Sequence, residues 1–458
     1  MQTQTLSRTD RDLIRLVHEP GFDRWREQIK QIGGCAHPVY LAGSSTTFDT
    51  VSGEVLTHYD THEEPTGRLA VRCGNRRKSR CPPCSWLHSG DTYQLIRAGL
   101  SGGKGVTSAV SYRPRVFLTL TAPSFGPVHR ATNGPCRPRR DGGLCDHGIP
   151  VSCTKEHDES DPLVGQPVCA ACYDYTGHVL WHACAGRLWN RWCGAVRRHL
   201  ARAGGITQAR LRDHLIVSFA KVAEYQRRGA VHVHAVIRLD GPDGPASPPP
   251  TWATTELLIS ALRSAAAAVE VTAPHSAAVG EYRVSWGPQI DAHAIQADTA
   301  GADGHGLSDD AVASYVAKYT SKSVSESGID YRIREYAEIR HAPVSPHIRA
   351  LMSTAWRLGG LKEYADLNLR LWAHTLGYRG HILTKSRRYS TTYGNLRSAR
   401  TRHKLPAPPG AIKQASWRYV GSGHTTAESW IAAGIAEDVS QIRGIKRELL
   451  YSESLHGD

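Results

Sequence analysis

Residues 214–239 constrain the fold of this chain more than any other stretch. HLIVSFAKVAEY (214–225) and AVHVHAVIRL (230–239) are apolar and rich in β-formers, and Gln226-Arg227-Arg228-Gly229 separates them. That pattern predicts a β-hairpin. Side chains alternate across a strand, so His232 and His234 share one face while Val231, Val233 and Ala235 take the other. Two imidazoles on one face can hold a single cation; without a metal they would be an ordinary core or surface pair. Glu224 ends the first strand and either reaches the same cation or stays a solvated strand-end charge. Two imidazoles and a carboxylate, with coordination positions left open, suit Mg2+ or Mn2+ acting on phosphate.

Ser308-Asp309-Asp310 marks a helix start, with a serine N-cap and two acids at the positive end of the dipole. On the helix that follows, to about residue 323, Tyr315, Lys318, Tyr319 and Lys322 recur at i, i+3, i+4 and i+7 and form one stripe. Two phenols and two ammonium groups are poor core material. The bland reading is a surface helix with partly buried tyrosines. The chemical reading is a nucleophile: a free tyrosine ionises near pH ~10, and neighbouring cations favour its phenolate.

Eleven cysteines, an odd number, include two Cys-x-x-Cys pairs, and the first twenty residues lack the apolar core of a secretory signal. Metal thiolates in a reducing cytoplasm are therefore expected rather than disulfides. Cys81 and Cys84 with Cys73 make three thiols close in sequence; Cys35 is the natural fourth ligand of a structural zinc, with His88 as the alternative. A Gly-, Pro-, Cys- and His-rich stretch at about 126–178 predicts an insertion folded around a second zinc. Its expected ligands are Cys145, Cys153, Cys169 and Cys172, with His147 or His157 as substitutes. Cys136 is left over, and Cys184 and Cys193 should pack a helix.

Lys and Arg number 56 against 42 Asp and Glu, a net charge of +14 that points to a polyanionic partner, nucleic acid first. The basic run KSRRYSTTYGNLRSARTRHK at 385–404 has no acid. Lys385, Arg387, Arg388, Arg397, Arg400 and Arg402 are its candidate phosphate contacts, and Tyr389 and Tyr393 its candidate stacking rings; a solvated basic face is the alternative. No run of 18 apolar residues predicts a membrane span. Gly99–Lys104 is one residue short of a phosphate-binding loop, and Gly105 replaces its Ser/Thr, so no nucleotide-driven motor is expected. A strand at 115–121, helices at 179–203 and 254–269, a strand near 281–287 and a mostly helical last third, with an amphipathic helix from about 426, complete the reading.

The order Phe-Leu-Thr-Leu-Thr (117–121), His-Val-His (232–234), Tyr-Val-Ala-Lys-Tyr (315–319) resembles the three motifs of HUH replication initiators of the two-tyrosine branch, which are rolling-circle nicking enzymes. From about 30 to 400 the chain is similar to initiators of actinobacterial plasmids and integrative conjugative elements. Cys-Gly-Asn-Arg-Arg (73–77), Cys-Pro-Pro-Cys (81–84), Leu-Trp-Asn-Arg (188–191) and Glu-Tyr-Gln-Arg-Arg-Gly-Ala-Val-His-Val-His (224–234) carry that similarity. The resemblance implies an α+β fold: an HUH endonuclease domain (106–345) with a central antiparallel sheet and flanking helices. A zinc-knuckle region (1–105), the zinc-binding insertion and a basic, mostly helical region (346–458) would surround it. His232 and His234 would bind Mg2+ or Mn2+, and one of the two tyrosines, Tyr315 the first choice, would attack the scissile phosphate, the sequence leaving the order of the two open. Tyr319 would be the alternate nucleophile, and Lys318 would steady the phosphate. Origin DNA, host helicase and DNA polymerase would be the partners, in the cytoplasm. A rolling-circle transposase and a non-catalytic zinc-ribbon regulator are the competing readings.

Overall fold

The computed structural model describes residues 7–64, 66–138, 143–296, 308–321, 329, 331–404 and 410–455, except for the side chains of 319–321, 401–404 and 450–455. In chain order come helices α1 (Arg8–Val17) and α2 (Phe22–Gln31), strands β1 (Val39–Asp49), β2 (Val55–Asp60) and β3 (Leu69–Val71), then helix α3 (Pro82–Ser101) and strand β4 (Arg115–Leu120). After an irregular stretch come α4 (Tyr175–Ala203), β5 (Ile216–Tyr225), β6 (Val231–Asp240), α5 (Thr255–Ala268), β7 (Glu270–Thr272), β8 (Arg283–Ser285), β9 (Ile290–Ala294) and α6 (Asp309–Ser321). The remainder is α7 (Tyr336–Arg340), α8 (Pro346–Leu358), β10 (Leu383–Lys385), α9 (Tyr393–Lys404), β11 (Ala411–Ser422) and α10 (Thr426–Leu455). Two compact units result, Met1–Asp91 with Tyr393–Asp458, and Thr92–Thr392.

In the first unit β1 pairs antiparallel with β11 from Val39↔Ser422 to Asp49↔Ala411, while β2 and β3 share its other edge. Its core gathers Trp25, Ile29, Tyr40, Ala70, Ala432 and Ile435 around Cys35, Cys81 and Cys84.

The second unit is built on a five-stranded antiparallel sheet in the order β10-β5-β6-β4-β9. The 214–239 hairpin supplies β5 and β6. Gly229 closes its turn at φ +79°, and a Cβ there would meet Leu376 Cδ1 at 2.9 Å and Ile348 Cδ1 at 3.0 Å, so only glycine fits. On the apolar face, Val231, Val233, Ala235 and Ile237 join Val116, Leu118 and Leu120 and the buried side of α4 (Leu180, Cys184, Leu188, Trp192) in one core. Each buried Val, Leu or Ile among them contributes about 1.5–3 kcal/mol by leaving water. Indole donors anchor α4 further: Trp181 Nε1 donates to Ser285 O at 2.8 Å and Trp192 Nε1 to Leu262 O at 3.2 Å. The fold is thus α+β with antiparallel sheets. The strand–hairpin–helix order read from the pattern is present, with α4 beginning at Tyr175 and α6 at Asp309.

Candidate active site and metal-ligating clusters

The polar face of the sheet collects the singled-out residues. Glu224 sits directly opposite His232, and Thr119 directly opposite His234, and directly opposed residues share a face. His234 Nε2 lies 3.1 Å from Glu224 Oε2 and 3.4 Å from the Tyr315 hydroxyl. Its Nδ1 lies 3.0 Å from Thr119 Oγ1. In the tautomer with Nδ1–H donating to Thr119, the Nε2 lone pair is turned towards the Glu224 carboxylate and the Tyr315 phenol. Phe117 stacks on the His234 ring and meets Tyr315 edge-on, which fixes both rings. The His232 and His234 ring centres are 6.1 Å apart. Burial first, with the nearby Arg228 guanidinium, pushes His232 down to about 3, so it is a neutral imidazole. One residue of this face escaped the sequence reading: Asp291 of β9 lies opposite Thr119. An isolated five-residue strand carries no pattern that would have shown it.

Helix α6 is held at its start. Ser308 Oγ accepts from Ala311 N at 3.1 Å, the expected cap. Arg115 Nη1 donates to Asp309 Oδ1 at 2.7 Å, with both side chains out of solvent, and Ser101 Oγ donates to Asp309 Oδ2 at 2.8 Å. Arg97 and Tyr93 hold Asp310 at 2.8 and 2.9 Å. Tyr315 stands two turns further on, half-buried, and Lys318 is exposed one turn beyond it. The Tyr319 side chain and Lys322 lie outside the described residues.

The hairpin is fixed from below by histidine. His182 on α4 is fully buried: Nδ1 lies 2.9 Å from Leu376 O, and Nε2 accepts from Val231 N–H at 3.2 Å. The neutral ring satisfies both neighbours, and burial pushes His182 down to about 4.

Among the described residues, cysteines and histidines form three groups of four whose ligand atoms all lie within 4.8 Å of one another. Cys35, Cys73, Cys81 and Cys84 make the first, with Sγ–Sγ separations of 3.7 Å (Cys35–Cys81) and 3.6 Å (Cys35–Cys84). A zinc with Zn–S near 2.3 Å spaces sulfurs by about 3.8 Å, so the set fits a zinc and is too wide for disulfides. Backbone N–H groups of Ala36, Cys73 and Asn75 donate to Cys81, Cys35 and Cys73 sulfurs. His88 is not in the group; its ring stacks on Tyr393 at 5.0 Å. In the insertion the four expected cysteines are not brought together. Cys145, Cys169 and Cys172 join His147, whereas Cys153 joins His129, Cys136 and His157. Spacing misled because nearest-neighbour pairing in sequence ignores that the chain doubles back between the pairs.

The basic run divides in the same way. Tyr389 is fully buried, its hydroxyl donating to Ile96 O at 3.2 Å, so it is core and cannot stack on a base. Arg400 is engaged in a two-point ion pair with Asp91. Lys385 Nζ donates to the Ser390 carbonyl at 3.0 Å, and burial lowers its pKa. Arg397 covers the Tyr393 ring. Arg387 and Arg388 are exposed and line a groove with Arg197 and Arg212, and no acidic residue lines it among the described residues. The Arg402 side chain lies outside the described residues.

Fold and site define an α+β protein with antiparallel sheets and cysteine–histidine groups able to hold zinc. The chain belongs to the RepSA family of replication initiators, matching the family described as "Replication initiator protein, pSAM2" over residues 21–437. It is 43% identical over 461 residues to a replication initiator protein of Streptomyces ambofaciens, covering 96% of each chain. No solved structure matches it. No helix among the described residues is long and apolar enough to cross a membrane.

Proposed function

We propose that this chain initiates rolling-circle replication as an HUH-type, metal-dependent nickase and strand transferase acting at the origin of a plasmid or integrative element. The observation that carries the reading is the Tyr315 hydroxyl 3.4 Å from His234 Nε2, the same nitrogen that faces Glu224 at 3.1 Å. A phenol beside an imidazole that also faces a carboxylate supports a tyrosine nucleophile for phosphoryl transfer.

His232, His234 and Glu224 would hold Mg2+ or Mn2+, which when bound supplies charge stabilisation at the phosphate oxygens. Tyr315 gives its phenolic proton to solvent water, and its oxygen attacks the scissile phosphorus. The bond from phosphorus to the 3′ oxygen breaks, and that oxygen takes a proton from water to become a 3′-OH that primes host polymerase. The other product is a 5′-phosphotyrosine, which keeps the phosphodiester energy for rejoining. Tyr319 would serve the second transfer. Lys318 and Lys322 would be cations for the phosphate backbone, and Arg387, Arg388 and Arg397 would be further phosphate contacts. Zinc at Cys35, Cys73, Cys81 and Cys84 would be structural, because four protein ligands leave no open position. Host helicase would extend the unwound region, and the reducing cytoplasm suits the thiolates.

Incubation with single-stranded origin DNA and Mg2+ or Mn2+ tests the reading. A chelator-sensitive protein–DNA adduct, sharply reduced by His232→Ala, is expected. Tight binding with no cleavage on either origin strand would overturn it in favour of a non-catalytic regulator.

A further inference from the structure

The stretch between β4 and α4 has a problem that its composition cannot solve. Among the described residues of 126–172 there is no helix or strand apart from isolated bridges, and the only buried side chains are Cys136, His157 and Cys169. Ordered segments this long without regular structure need a substitute for an apolar core. All three buried side chains belong to the two four-ligand groups, His129–Cys136–Cys153–His157 and Cys145–His147–Cys169–Cys172.

We infer that this insertion is a cross-braced module holding two structural zinc ions, one in each group, rather than a single-zinc knuckle. Ligand pairs alternate along the chain: 129/136 to the first site, 145/147 to the second, 153/157 to the first, 169/172 to the second. Neither site can be closed without spanning ligands of the other. The geometry fits. A tetrahedral zinc with Zn–S near 2.3 Å and Zn–N near 2.0 Å spaces N from S by about 3.5 Å. Cys153 Sγ is 3.4 Å from His157 Nε2, Cys136 Sγ is 3.8 Å from His129 Nδ1, and Cys172 Sγ is 3.2 Å from His147 Nδ1.

The backbone prepares both sites. Arg137 and Cys153 exchange two hydrogen bonds, of 2.8 and 3.0 Å, which bring the outer pairs of the first site together. Arg130 N–H donates to Cys136 Sγ at 3.2 Å, and His157 Nδ1 lies 2.6 Å from Asp161 Oδ2, the carboxylate partner that orients a metal-bound imidazole. At the second site a tight turn, Gly148 N to Cys145 O at 2.8 Å, presents Cys145 and His147 together. The module also abuts the turn of the 214–239 hairpin, where a Cβ on Gly165 would lie 2.5 Å from Arg227 C, and α8, where Gln166 Oε1 accepts from His347 N at 3.4 Å. The inference does not rest on the nicking chemistry.

Zinc content of the full-length protein tests it. Cys136→Ser/Cys153→Ser and Cys169→Ser/Cys172→Ser should each remove one zinc per chain, and the four-site combination should remove two. A combined variant that loses only one zinc would overturn the inference, as would insertion variants that lose none. His157→Cys guards against misfolded serine variants. It keeps four ligands, so zinc content should hold, while the cobalt-substituted protein should gain thiolate-to-metal absorption. Unchanged absorption with full metal content would also overturn it.

Discussion

The Arg115 guanidinium lies 2.7 Å from the Asp309 carboxylate, and neither side chain reaches water. This pair ties the first residue of α6 to the first residue of β4, and so sets where Tyr315 stands over Thr119 and His234. Removing one partner leaves the other charge buried and alone, which costs about 3–5 kcal/mol. Asp309→Ala should therefore lower stability by that amount in urea unfolding. A loss under ~1 kcal/mol would mean the pair does not hold α6.

Acid should loosen the hairpin before it protonates carboxylates. His182 and His347 are buried and depressed to about 4, so they bind protons more readily unfolded, near pH ~6.5, than folded. Stability contributed by the neutral rings is complete above pH ~6.5 and falls as pH drops towards 4, by up to about 1.4 kcal/mol per pH unit for each ring. Chemical denaturation at pH 7 and pH 5 checks this, and His182→Gln should flatten the slope. A pH-independent midpoint over that range would contradict it.

The hairpin, its histidines, β4 and α6 were legible because local pattern and local contacts agree there. The alternation of Val231, Val233 and Ala235 with the histidines records a sheet buried on one face. The β1–β11 ladder was not legible: β1 reads VYLAGSSTTFD, with little apolar alternation, and its partner lies more than 360 residues away. Tyr389 misled for a related reason. A tyrosine amid arginines looks solvent-facing until Ile96 and Arg238 close over it from distant segments.

Thr119 should tune the metal without touching it. Thr119→Val removes the acceptor for His234 Nδ1–H and frees the ring to change tautomer. A 10–100-fold weaker Mn2+ affinity is expected, with the fold unchanged by circular dichroism. Calorimetric titration that finds wild-type affinity would remove Thr119 from the site.

Arginines in the basic run should separate into two kinds. Arg387→Ala with Arg388→Ala should weaken DNA binding at every sequence and reduce the salt slope by about 1–2, as lost phosphate contacts do. Arg400→Ala should act on stability instead, through its pair with Asp91. Equal salt slopes for the first variant and wild type would place the DNA track elsewhere.

The residue that carries the DNA after cleavage identifies the nucleophile. Origin single strands would be reacted with Mn2+, the adduct digested, and the modified peptide sequenced by mass spectrometry. A 5′-phosphotyrosyl link on Tyr315 is expected in the first round, abolished by Tyr315→Phe. An adduct on a residue outside α6, or cleavage by Tyr315→Phe at the wild-type rate, would contradict it.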